Sequence, residues 1–238
     1  MQIIRQLYKP QVIRSAGIAC CLRFKQKPKK MKKLFLSVVA LLIASISFGQ
    51  AKWGIIAGPN FSSVTYENLG TFGFNSKETS KILTSFRGGV TVDIPIAEDF
   101  SIGTGLLYAG KGGKFKNSDI KVSLSYLQLP VMFQFTPEVG NGNMVLGIGP
   151  YFAVGLGGNY KNTATGDIGA FEDEALLAKL KRFDAGGTLQ IGYQTPMGLY
   201  FGLNGDLGLV NAVDNTDNNR KFKNASFGVS LGYKFGGR

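Results

Sequence analysis

The sequence predicts an all-β chain, an eight-stranded antiparallel up-and-down transmembrane β-barrel preceded by a cleavable signal peptide. Three observations predict it. An apolar run near the start has the layout of an export signal, the apolar residues after it recur with period two in eight segments, and the links between those segments alternate between short and long.

The export signal is MKKLFLSVVALLIASISFGQ, residues 31–50. Lys32 and Lys33 follow Met31, an uncharged apolar run extends from Leu34 to Ile46, and Ser47-Phe48-Gly49 sets small residues around a bulky one. That is the order of n-region, h-region and cleavage site. At about 13 residues the run is short of the roughly 20 that span a bilayer as a helix, so a signal anchor or an amphipathic helix is the lesser reading. Cleavage is expected after Gly49. Residues 1–30 carry eight Lys/Arg, no acid and both cysteines, and read as an extension from a start assigned too early or as a long n-region. Cys20-Cys21 have no apolar run before them, and Gly17 stands where a lipid-anchor signal usually has an aliphatic residue. The expected organisation is therefore 1–30 extension, 31–49 signal peptide and 50–238 barrel domain.

The leader also carries the charge. The full chain holds 27 Lys/Arg against 15 Asp/Glu, net +12, but ten of the bases and none of the acids precede Gly49. The mature chain is near +2, which removes the basic footprint that a nucleic-acid partner would need. It also has no cysteine, hence no disulfide framework and no thiolate for metal or catalysis.

In chain order, the alternating segments lie near 53–62, 84–96, 100–110, 121–135, 143–157, 183–195, 198–211 and 226–235. In the last, Phe227, Val229, Leu231, Tyr233 and Phe235 alternate with Ser226, Gly228, Ser230, Gly232 and Lys234. Each is long enough to cross a bilayer as a tilted strand, for which about 9 to 11 residues suffice. Short links with turn residues, Ala97–Asp99, Thr136–Gly142 and Thr195–Met197, alternate with longer polar ones near 63–83, 111–120, 158–182 and 212–221. Short turns on one side and long loops on the other are the pattern of an outer-membrane barrel, with the turns periplasmic.

The polarity of the two faces points the same way. Along 199–209, Leu199, Phe201, Leu203, Leu207 and Leu209 share one face, against Tyr200, Gly202, Asn204, Asp206 and Gly208. Asp184, Gly186, Thr188, Gln190, Gly192 and Gln194 repeat the second set, a poor hydrophobic core but a suitable lining for a narrow lumen. Aromatics gather at segment ends: Trp53, Phe100, Phe135, Tyr193, Tyr233 and Phe235 toward the turns, Phe61, Phe86, Tyr108 and Phe183 toward the loops. Two girdles flanking an aliphatic band are expected at headgroup level. Glycines such as Gly89, Gly103, Gly149, Gly202 and Gly232 fall on the inner face. Eight strands leave an interior only as wide as its side chains, so a packed polar interior is expected rather than an open pore.

Chemistry-bearing motifs are few. The chain has no histidine, which removes Ser-His-Asp triads and His-based zinc sites. Gly105-Leu-Leu-Tyr-Ala-Gly-Lys111 has phosphate-loop spacing, but Gly112 stands where Ser or Thr should hold Mg²⁺, so it reads as a strand end entering a loop. Five charges fall on inward positions: Arg87, Asp93, Asp184, Asp206 and Lys234. A structural ion-pair network is the favoured reading over a proton path or a carboxylate pair, with Arg87 and Lys234 expected to pair with the three aspartates. Residues 171–182 place acids before bases and suit a short helix as well as they suit a loop. Asp214 to Asn219 offers oxygen ligands without the spacing of a calcium loop. No catalytic, cofactor-binding or metal residue, and no cofactor, is assigned.

The chain resembles the PorT-like outer-membrane β-barrel proteins of Gram-negative bacteria over about residues 52–238. The resemblance rests on WGIIAGPNFS, FRGGVTVDIPI, FSIGTGLLYAGKGGK, YLQLPVMFQF, GIGPYFAVGLGG, RFDAGGTLQIGYQTPMGLYFGLNGDLGLVN and NASFGVSLGYKF. These motifs imply a fold and no reaction. The chain departs from the usual barrel ending, since Gly236-Gly237-Arg238 follow the aromatic Phe235. The expected function is a non-enzymatic structural or interaction role in the envelope. Its expected partners are outer-membrane lipid, the barrel-assembly machinery and a surface or envelope protein. A narrow transport or ligand-binding barrel is the alternative, and an envelope enzyme, with Asp184 and Asp206 as its acids, comes third.

Overall fold

A computed structural model describes residues 51–67, 77–115, 120–162, 166–172, 179–214 and 220–235. The expected signal peptide and extension lie outside these residues. Every regular element among them is a strand: β1 (Lys52–Glu67), β2 (Glu78–Thr79), β3 (Leu83–Pro95), β4 (Phe100–Lys114), β5 (Lys121–Phe135), β6 (Glu138–Val139), β7 (Gly142–Asn162), β8 (Gly166–Gly169), β9 (Phe183–Gln194), β10 (Leu199–Gly208) and β11 (Lys221–Phe235). Eight of them, β1, β3, β4, β5, β7, β9, β10 and β11, pair antiparallel with their chain neighbours, and β11 returns to β1. The seam runs from Trp53 opposite Phe235 to Glu67 opposite Lys221, so the sheet is a closed eight-stranded barrel. Closure removes the edges that an open sheet would leave unpaired.

Three turns close one end, at 96–99, 136–141 and 195–198, where the alternation placed them. Gly198 in the third has φ +88°, a left-handed conformation that a side chain would strain. The strands run further toward the loops than the period-two pattern indicated. β1 reaches Glu67, β4 reaches Lys114 and β7 reaches Asn162, with β2 and β8 added along them. Residues assigned from sequence to the loops 63–83, 111–120 and 158–182 are thus partly wall. Of the two alternatives for 171–182, the helix is not formed at the described ends of the segment. Phe171 and Glu172 lie in a turn and Leu180 pairs with Val213, while 173–178 lie outside the described residues. Of the oxygen-rich stretch 214–219 only Asp214 is described.

The wall reverses polarity partway up. From the turns to about Tyr108, exposed side chains are apolar, including Trp53, Val131, Phe133, Ile191, Phe201, Leu203 and Leu231. Nearer the loops the outward side chains are Thr65, Glu67, Lys114, Lys121, Ser123 and Lys161, and the inward ones become Val64, Tyr66, Val122, Leu124, Tyr160 and Phe222. On β7 a bulge reverses the phase: Ser125 faces Gly157 but Tyr126 faces Gly155, which leaves Leu156 unpaired and turns Tyr160 inward. The expectation of a polar interior therefore holds for the turn-side half, apart from one thin apolar layer, and fails for the loop-side half, which has an apolar core.

Candidate functional site: a layered interior and its two mouths

Four layers fill the lumen. At the turn end a vestibule of about 680 Å³ is lined by Lys52, Asp93, Glu98, Ser101, Glu138 and Lys234, among others. Its inner wall holds the Lys234–Asp93 ion pair, which is largely buried yet borders the vestibule.

An apolar layer follows, made of Ile56, Leu107, Val145 and Tyr200. Tyr200 lies across its own and the neighbouring strand, because Gly192 and Gly202 leave room for the ring. A Cβ at Gly202 would stand 2.0 Å from the Tyr200 hydroxyl. Gln190 donates to that hydroxyl at 2.6 Å, and the Lys234 ammonium lies 5.0 Å from the ring centre.

The third layer carries the ions. Arg87 on β3 reaches across to Asp206 on β10 at 2.7 Å, with 4% and 1% of their side chains exposed. Asp206 also accepts from Thr188 (2.7 Å), Gln128 (3.1 Å) and Ser226 (3.4 Å). Lys111 on β4 pairs with Asp184 on β9 at 3.4 Å, and its ammonium lies 4.0 Å from the centre of the Tyr151 ring. The same Asp184 oxygen accepts from Asn224 at 3.1 Å and Tyr151 at 3.3 Å. Two cations and two carboxylates balance, which is how a low-dielectric interior tolerates charge.

The fourth layer is an apolar plug. Val64, Tyr66, Val122, Leu124, Tyr126, Tyr160 and Phe222 come from the wall. Phe115 and Ile120 come from the β4–β5 link, Ala170, Phe171 and Leu180 from the β8–β9 link, and Ala212 and Val213 from the β10–β11 link. A backbone bond from Lys181 N–H to Ala212 ties the last two links together, while Leu180 N–H to Ala170 closes the first of them on itself and Ala212 N–H to Phe222 fastens the second to β11. Phe171 fits over Gly155, where a Cβ would stand 2.6 Å from the ring, and Arg182 lies 5.1 Å from the ring centre while donating to the Gly155 carbonyl.

All five inward charges named from sequence are inside and paired. Arg87 and Lys234 do bind aspartates, one each. The third aspartate, Asp184, is served instead by Lys111, which the sequence pattern places at the start of a loop. The signal was available, because Lys111 continues the inward phase of Leu107 and Ala109 on β4. Its segment, Gly105 to Lys111, is strand throughout, as expected of a false phosphate loop. Asp184 and Asp206 share the third layer, each engaged by its own cation and closed off by apolar side chains above and below. Among the described residues no group of three or more acids, histidines or cysteines is arranged to hold a metal.

The family pattern described as outer membrane protein beta-barrel domain matches residues 47–214. No curated protein sequence matches the chain. Among solved structures, it is similar to Ail, the attachment invasion locus protein of Yersinia pestis, at 12% identity over 78% of this chain and 99% of that one, with a TM-score of 0.42. OprG of Pseudomonas aeruginosa gives 12% identity, coverage of 78% and 96%, and a TM-score of 0.42. Neisserial surface protein A gives 10%, 77% and 97%, and 0.43.

Proposed function

The chain belongs to the outer-membrane β-barrel domain family, and from that premise we propose that it is a non-conducting, non-enzymatic envelope protein acting through its loops and outer wall. The observation that carries this reading is the apolar plug. Three of the loop-side links send apolar side chains inward onto aromatic wall residues, which among the described residues leaves no continuous polar path past Tyr126, Tyr160 and Phe222. A solute or proton route would need the ion layer to meet water on both sides, and apolar side chains flank it on both. The same sealing keeps substrate from Asp184 and Asp206, which supports the non-enzymatic reading.

The finer placement is a role in an envelope or secretion assembly. It is supported by the PorT-like motifs, with Phe235 at the end of the last strand offering an aromatic for the assembly machinery. Purified protein in planar lipid bilayers is expected to give no discrete conductance steps; reproducible steps would overturn the reading. The vestibule favours a second reading, a pocket for a small ligand entering from the periplasmic side. Saturable binding of such a ligand, lost in Asp93→Asn but kept in Phe222→Leu, would raise it above the first.

A further inference from the structure

One row of side chains on the outer wall has no use in the layered interior. Lys81 bridges to Lys114, Lys114 is registered opposite Lys121 on β5, and Lys121 opposite Lys161 on β7. All four point outward, since Ser80, Val122 and Tyr160 beside them are buried and Gly113 faces Ser80 and Val64 inside. Directly opposed residues on paired strands hold their Cβ atoms about 4.5–5.5 Å apart, a spacing at which like charges destabilise a sheet. Among the described residues the row meets a single acid, Asp167, which pairs with Lys161 at 2.9 Å. Around the other flank, Lys223 stands opposite Thr65, and Thr65 opposite Thr79, in a groove of about 550 Å³ that Lys77 and Lys221 also line. A wall that repels itself in this way is stabilised by an anion held against it.

Position identifies the anion. Six residues separate Tyr108, on the exposed aromatic row, from Lys114 on β4. That is about 20 Å of extended strand and roughly 15 Å of height at a 40° tilt. A phospholipid headgroup layer is only about 5–8 Å deep. The lysines therefore stand above phospholipid headgroups, yet they point sideways over the membrane plane rather than upward past the loops. We infer that the Lys81–Lys114–Lys121–Lys161 row binds the phosphorylated saccharide headgroups of outer-leaflet glycolipid standing beside the barrel. The row lies outside the sealed lumen, so this assignment is independent of whether the barrel conducts.

The test uses the full chain folded in zwitterionic detergent micelles and titrated with three probes. These are rough lipopolysaccharide carrying its core phosphates, the same material with its phosphates removed, and dextran sulfate. The phosphorylated glycolipid is expected to bind at least tenfold tighter than its stripped form. K114Q/K121Q/K161Q should lose that preference while retaining the gel-mobility shift of a folded barrel, and K52Q/K179Q/K181Q should keep it. Equal binding of the stripped glycolipid by the unmodified protein overturns the assignment and needs no variant. Retention of the preference by the row variant overturns it too. Tighter binding of dextran sulfate than of glycolipid, lost in the row variant, transfers the row to a soluble polyanion.

Discussion

The two halves of the barrel are built from the same strands with opposite solvents in mind. On β5, Leu127, Leu129, Val131 and Phe133 face out, and Gln128 and Gln134 face in; a few residues earlier on the same strand, Lys121, Ser123 and Ser125 face out, and Val122, Leu124 and Tyr126 face in. The turn-side half puts its apolar surface against hydrocarbon and keeps charges within. The loop-side half is organised like a water-soluble barrel, with the apolar surface as its core. Closure of the sheet is common to both, so backbone pairing cannot be what distinguishes them; only the phase of the side chains does.

Matched substitutions should expose that difference, and the single tryptophan, Trp53 at the seam, reports unfolding by fluorescence in lipid vesicles. The largest effect is expected in the plug. Phe222→Ala removes a fully buried ring and should cost about 3–5 kcal/mol in urea unfolding. Phe201→Ala on the lipid-facing side should cost clearly less, because lipid tails take the place of the ring. Equal costs would mean the loop-side core is not packed as described.

Arg87→Met should approach the first effect, at about 3–5 kcal/mol, since it strands Asp206 in a sealed layer. A double Arg87→Met, Asp206→Leu variant should recover most of the loss. Next comes the wall. Leu203→Arg, on the aliphatic band, should cost about 2–4 kcal/mol, whereas Ser123→Arg on the loop-side wall should cost almost nothing. If both are tolerated alike, the change of polarity does not mark the membrane boundary. The smallest effect is expected at the vestibule. Lys234→Met breaks an ion pair as Arg87→Met does, but Asp93 then meets vestibule water, so the loss should be about 1–2 kcal/mol. A loss as large as that of Arg87→Met would show that the vestibule is dry.

The same reversal explains what could be read from the sequence. A period-two pattern with apolar residues outward located the strands and the three turns of the turn-side half, along with five inward charges. It lost β1 after Ser62 and β4 after Gly110, where the outward residues become Ser, Thr, Gly and Lys although the alternation continues. Val64 and Tyr66, inward and apolar, looked like loop residues for this reason, and Lys111 was missed with them. The bulge at Leu156 hid the upper part of β7, because one unpaired residue reverses the phase that a periodic reading depends on. The pairing of Asp184 with Lys111 rather than with Arg87 or Lys234 depends on which strands oppose one another across the lumen, and local alternation carries no such information.

The seam between β1 and β11 sets a clock. Trp53 finds its partner only when Phe235 arrives, so the first strand of the domain must wait for the last before either has a complete set of hydrogen bonds. Until then the outward Leu, Ile and Phe side chains of the turn-side half have no lipid, and both terminal strands present open edges suited to pairing with another chain. Contacts of such long sequence separation form late and slowly. Between export and insertion the chain is therefore at its most vulnerable, and its survival in the aqueous compartment depends on how briefly it remains open.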